Sequence, residues 1–404
     1  MDAHSKKVVL CLTHWQHGSD PVVLQTIATT LDALEGTYQN NIPPDATTVL
    51  EATTNAFSIV RRLRAIGHTN AKVLAADTLA GRARRDRVND NIDARNLANA
   101  YARGGTREVY VPTEEGTRRR DLYYGYHTAT ENATRASNRL WAFCSAHGFD
   151  VPPPQRKEKA SAIQAQLDAH AWDADARFHI TRLLADYAHA LETRGAYRRR
   201  IERSVATTPD MLRVMQVLGI GVLCAFGLLA FIGDIERFES AKRLVSYFGF
   251  NPVVDTSGES TGTRRLSRFG QRTLKSMLVE AAHSAFRHGD GPMHGWARRK
   301  VASGKPRNVV LCALARKRVV CAWHILKGHP APVCEASLSY RRKLAKLATG
   351  VRKHAPGVLE DKTAAAFALR ICAFLYPATS RSRPLESHTV LREPLDSCIL
   401  APKP

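Results

Sequence analysis

Thr47-Thr48-Val49-Leu50-Glu51-Ala52-Thr53 is a short β-branched and apolar run that closes on a carboxylate. It reads as a buried strand with Glu51 at its end. Phe57, Val60, Leu63 and Ile66 follow at helical spacing. Lys72-Val73-Leu74-Ala75 is a second strand. Before both lies Val8-Val9-Leu10-Cys11-Leu12, a third. Ala94, Leu97, Ala98 and Tyr101 give the buried face of another helix, closed by Gly104-Gly105. Glu108 to Val111 is a further strand, stopped by Pro112. Strands alternating with helices predict an α/β domain over residues 1–115.

Beyond it the pattern changes. Residues 116–204 read as two long helices around Pro152-Pro153-Pro154, a helical hairpin or coiled-coil arm. Residues 205–330 read as a mainly α domain of short helices and loops. Residues 331–404 read as a basic, partly disordered tail. The uncharged run Val217 to Ile232 is short of the about 20 apolar residues that a membrane span needs. A buried helix hairpin fits it better, and no membrane association is expected.

The formal net charge of the 404 residues is +22, which points to a polyanionic partner because counterion release drives binding to phosphate backbones. The eight cysteines contain no CxxC pair, so a zinc ribbon and a disulfide framework are both disfavoured. That usage fits a reducing cytoplasm, and the opening residues show no secretory leader.

Asp90 and Asp93 stand three apart and share one face of a helix. Acids at a helix head either stabilise it through the macrodipole or serve as ligands for a hard cation. Ser257-Gly258-Glu259 lies among Arg264, Arg265, Arg268 and Lys275, which can neutralise a phosphate. The serine is either a turn residue bonded to its own backbone or a nucleophile; Thr256, Ser260 and Thr261 are its nearest rivals. Gly219 and Gly221, in Leu218-Gly219-Ile220-Gly221, read either as a close helix–helix turn or as a hairpin whose amides meet phosphate. Arg82, Arg84, Arg85 and Arg87 are a solvated loop or a groove lining.

Taken in order, these pieces resemble the DEDD-type insertion-sequence transposases, relatives of the Piv DNA invertase and RNA-guided recombinases. The likeness adds Val109-Tyr110-Val111-Pro112-Thr113, Asn138-Arg139-Leu140, Phe238, Tyr247-Phe248-Gly249, Pro252 and Leu266-Ser267-Arg268-Phe269-Gly270, and covers residues 5–328. It implies an RNase H-like, RuvC-like N-terminal domain with four acids, of which Glu51, Asp90 and Asp93 fill the last three places. Cys11 stands where the first aspartate belongs, and Val88 where the family has a lysine.

The resemblance implies Mg²⁺ or Mn²⁺ at the acids, with a covalent ester between Ser257 and DNA. It implies a structured noncoding guide RNA, and a homo-oligomer, dimer or tetramer, joined through the long helices. It also implies action at the nucleoid of a bacterial cytoplasm. Thiolate is a soft ligand and Mg²⁺ prefers oxygen, so Cys11 is a poor replacement for aspartate. A catalytically impaired nucleic-acid-binding relic and a metal-dependent nuclease are therefore the alternatives. The CxxHxxH spacing of Cys11, His14 and His17 lacks a fourth zinc ligand.

Overall fold

The computed structural model describes residues 1–3, 6–12, 23–75, 90–148, 160–253, 265–266, 270–288, 292–329 and 337–375. They form two compact units, Met1–Glu115 and Gly116–Pro404.

The first unit is layered. Strands β1 (Asp2–Ala3), β2 (Lys7–Leu12) and β3 (Val23–Ala28) pair antiparallel in that order. Helix α1 (Leu31–Asn41) follows, its first turn capped by the Thr30 hydroxyl, which accepts from the Ala33 amide. Strand β4 (Thr48–Glu51) then crosses over through α2 (Ala56–Ala65) to β5 (Ala71–Leu74), which lies parallel to it. A crossover helix is what a parallel pair requires. Helix α3 (Asp90–Ala102) precedes the edge strand β6 (Glu108–Val109), antiparallel to β5. The Met1 amino group donates to the Val49 carbonyl at 3.0 Å and ties the first sheet to the second.

Side-chain alternation assigns the two faces. Val8, Leu10, Leu50, Ala71 and Val73 pack with Leu34 and Tyr38 of α1 and with Ile59, Val60 and Leu63 of α2. Val49 and Leu74 turn the other way and pack on Leu97 of α3. The α2 stripe Ala56, Ile59, Val60, Leu63 has the i, i+3, i+4, i+7 spacing of a helix with one buried face. The sequence reading missed β1, β3 and α1. In β3 the half-buried Gln25 and Ile27 alternate with exposed Thr26 and Ala28, so it lacks a continuous apolar run.

The second unit is helical. Helices α4 (Glu114–Ala146) and α6 (Ala174–Thr207) run antiparallel, with α5 (Ala160–Asp168) against their far ends. Gly125 leaves room for the Tyr197 ring, and Arg139 faces Asp186 further out. Leu140, Cys144, Ile163, Leu167, Ile180 and Leu184 form a separate apolar cluster there.

The main core surrounds α8 (Val222–Ile232), whose residues from Cys224 to Ile232 are all buried. Short α7 (Pro209–Val214) precedes it. α9 (Ala241–Tyr247), α10 (Arg272–His288), α11 (Pro292–Ala302) and α12 (Arg307–Leu326) complete the wall. The apolar run is therefore a turn and one interior helix. No helix among the described residues is long and apolar enough to cross a membrane.

The segment expected as a basic tail needs correction. α13 (Ser337–His354) and α14 (Ala364–Leu375) belong to this same core through Tyr340, Leu344, Leu347, Val351, Phe367 and Ile371. Exposed Arg341, Arg342 and Lys346 lie between the apolar positions and hide a helical stripe. Residues 376–404 lie outside the described set.

Candidate functional site

Cys11, Glu51, Asp90 and Asp93 all lie in the first unit. Cys11 shares the alternation of Lys7 and Val9 on β2, and Glu51 that of Val49 on β4; both therefore sit on the side of the sheets that α3 covers. Met1 links them further, because its charged amino group acts on the Cys11 thiol and bonds the Val49 carbonyl. Glu51 is half-buried at the end of β4, opposite Leu74.

Asp90 and Asp93 occupy the first turn of α3 as expected, but Asp90 forms an ion pair with Lys7. Lys7 opens β2, and four residues of strand, about 13 Å, separate it from Cys11. Arg95, on the same helix as Asp90 and Asp93, lies within electrostatic reach of Cys11. The acids and Cys11 thus share one layer of the first unit. Burial pushes the Cys11 thiol up, against the opposing pull of the N-terminus and Arg95. It stays protonated at neutral pH and is a poor ligand.

Among the described residues no group of three His, Cys, Asp or Glu can hold a metal ion. As arranged, these residues do not fit Mg²⁺, and no chemical step is derived through it. Lys7 was missed in the sequence; its odd-numbered place on β2, in phase with Cys11, was the available signal.

In the second unit, β7 (Pro252–Val253) and β8 (Arg265–Leu266) pair antiparallel, Pro252 opposite Leu266 and Val253 opposite Arg265. Ser257 and Arg264 belong to the stretch 254–264 between them, and Arg268 to 267–269; both stretches lie outside the described residues, as do Arg82 to Arg87. At the base of the ribbon, Tyr247-Phe248-Gly249 and Gly270 meet. A Cβ on Gly270 would stand 2.7 Å from the Gly249 nitrogen, so only glycine lets these two backbones touch. Tyr124 of α4 donates to Gln271 at 2.9 Å beside them. Lys275, half-buried on α10, lies close enough to Cys312 to oppose the rise that burial gives that thiol.

The turn between α7 and α8 is held from inside. Gly219 has φ +81°, and a Cβ there would stand 3.0 Å from the Arg318 guanidinium and 3.1 Å from the Ala281 carbonyl oxygen. Arg318 is fully buried on α12. Lys343 of α13 donates to the carbonyls of Met215, Val217 and Ile220 at 3.2, 3.4 and 3.1 Å. Gly221 sits at the N-cap of α8 and is half-buried. No local signal marks either role: Arg318 lies 99 residues from Gly219, and Lys343, a member of a basic run in the sequence, lies at least 123 residues from the carbonyls it meets.

Residues 211–296, from α7 into α11, match the transposase IS116/IS110/IS902 family. The chain is 25% identical over 237 residues to the transposase-named protein y4qE of Sinorhizobium fredii, covering 57% of this chain and 56% of that protein. It is 22% identical over 287 residues to the transposase for insertion sequence element IS1328 of Yersinia enterocolitica, covering 69% and 83%. It is also 22% identical over 253 residues to the transposase for IS1111A of Coxiella burnetii, covering 61% and 69%. Over the matched residues 211–296 the chain is similar to the transposases of the IS116/IS110/IS902 family, and it is 22–25% identical to these transposase-named relatives.

Proposed function

We propose that this chain cuts and rejoins DNA, as the transposase of an insertion sequence, through a covalent ester on Ser257. One observation carries the reading: the paired strands β7 and β8 bracket the Ser257 stretch inside the segment that matches the transposase family. In this scheme the Ser257 hydroxyl loses its proton to a base and its oxygen bonds to phosphorus. One deoxyribose oxygen leaves and takes up a proton. The ester conserves the bond energy, and the freed hydroxyl of a second strand reverses the step. Arg264, Arg265, Arg268 and Lys275 neutralise the phosphate as charge builds on it. The first unit is read as RuvC-like, with a structured RNA choosing the DNA partners and a homo-oligomer bringing two duplexes together. These parts rest on the resemblance of motifs.

A second reading has its own support. The protonated Cys11 thiol and the Lys7–Asp90 pair favour a chain that still binds nucleic acid but has lost its metal-assisted chemistry. Labelled element-end DNA, mixed with protein that retains its co-purified RNA and then denatured, separates the two. A slowed, protease-sensitive DNA band that Ser257→Ala abolishes is the expected result. Nicked DNA carrying no protein, equal in wild type and Ser257→Ala, would sink the serine mechanism and leave a nuclease. An adduct that appears only with Cys11→Asp would establish the impaired form.

A further inference from the structure

The C-terminal end of α6 and the last turns of α13 enclose a cleft of about 260 Å³, lined by Arg199, Arg200, Arg203 and His354 over a floor of small residues that includes Ala196 and Gly350. The three arginines are exposed. Among the described residues no acid pairs with them. The one carboxylate in the lining, Glu202, is taken by Arg198, whose Nε donates to it at 2.8 Å. Gly350 matters to this arrangement, because a Cβ there would stand 3.1 Å from a Glu202 oxygen. The acid therefore stays low between the helices, and the walls above it are cationic.

We propose that this cleft holds the phosphate backbone of duplex DNA. The proposal rests on the reading of the chain as a DNA-rearranging enzyme and adds a contact surface to it. Guanidinium groups match phosphate oxygens in pairs, and small residues on the floor let a backbone come close. No Phe, Tyr or Trp lines the cleft, and its one ring is the His354 imidazole at the exposed rim. Single strands and RNA loops are held by successive bases stacked on several aromatic rings, and one imidazole among three guanidinium groups favours contact with the backbone of a duplex. The surface needs α13, which lies wholly outside the segment matched by the transposase family.

The test uses the full chain and a random-sequence 30-base-pair DNA duplex, with affinity followed against salt and no strand chemistry read. Arg199→Ala, Arg200→Ala and Arg203→Ala together are expected to lower the slope of log K against log salt by about two to three, near 0.9 per phosphate contact. Binding at about 0.1 M salt weakens roughly tenfold or more. The corresponding triple lysine variant keeps most of the slope, which separates charge from folding. His354→Glu, at an exposed rim position, weakens binding without touching the core. An unchanged slope in the alanine variant overturns the proposal. So does a loss confined to structured RNA, or equal for RNA and DNA. Neither result depends on whether Ser257 forms an adduct, so this surface and the serine chemistry fail separately.

Discussion

Gly270 packs its α-carbon against the Gly249 amide, 21 residues back along the chain, at the root of the ribbon that carries the Ser257 stretch. Gly270 has φ +96°, and a methyl group there would also stand 2.7 Å from the Phe248 carbonyl carbon. Both effects act on rigid backbone. Gly270→Ala is expected to cost about 2–4 kcal/mol of unfolding free energy, from left-handed strain plus overpacking. Urea denaturation measures it, and a midpoint equal to wild type would show that the two segments can separate freely.

Lys343 closes the turn before α8 by donating to three carbonyls. Lys343→Met retains the stem but removes the donors. It is expected to destabilise the second unit by about 2–4 kcal/mol, since bonds from a charged donor carry more than neutral ones. Tyr340→Phe, which removes only the 2.8 Å bond from its hydroxyl to the Leu212 carbonyl, should cost about 1 kcal/mol. Equal losses from the two variants would contradict this ranking. A chain ending at residue 330 loses α13 and α14 together and should not fold cooperatively.

His127 lies against Tyr123, ring centroids 4.5 Å apart, and burial lowers its pKa below the ordinary 6.5. The folded state therefore binds fewer protons there than the unfolded chain does. Its share of stability is fully present above pH 6.5 and is lost as pH falls through the lowered folded value. His127→Gln should flatten the drop in unfolding midpoint between pH 8 and about pH 5. A variant whose stability falls as steeply as wild type would assign the acid sensitivity elsewhere.

At the acid layer, wild type should show no Mn²⁺-dependent rise in melting temperature. Cys11→Asp combined with Lys7→Ala supplies an oxygen ligand and releases Asp90, and should produce one. A shift in wild type of equal size would show that the thiol and the ion pair do not block the ion.

Several elements of this architecture are legible in the sequence. Thr48–Glu51, α2 and the head of α3 follow from β-branched runs and helical spacing, which are local signals. What escaped was long-range. β3 shows only a weak alternation, and the apolar stripe of α13 is diluted by arginines and lysines. The common face of Cys11 and Glu51 follows from a period of two. The partner of Asp90 does not, because Lys7 lies 83 residues earlier and only tertiary packing brings it there. Ser257 is singled out in the sequence only by its motif neighbours and lies outside the described residues; the structure shows the Pro252–Leu266 pairing on either side of its stretch.

Tyr123 is fully buried near the root of α4, against Gly227 of the central helix, and Arg120 beside it donates to the Ala230 carbonyl at 3.1 Å. From that fixed root the 33-residue helix reaches about 50 Å in all. It has the mechanics of a lever. The arm beyond Tyr123 is about 35 Å, so a tilt of about 5° there sweeps the far end through roughly 3 Å, about half a helical turn. The seat of the Tyr123 ring on Gly227 therefore fixes the direction in which the long helix leaves the core.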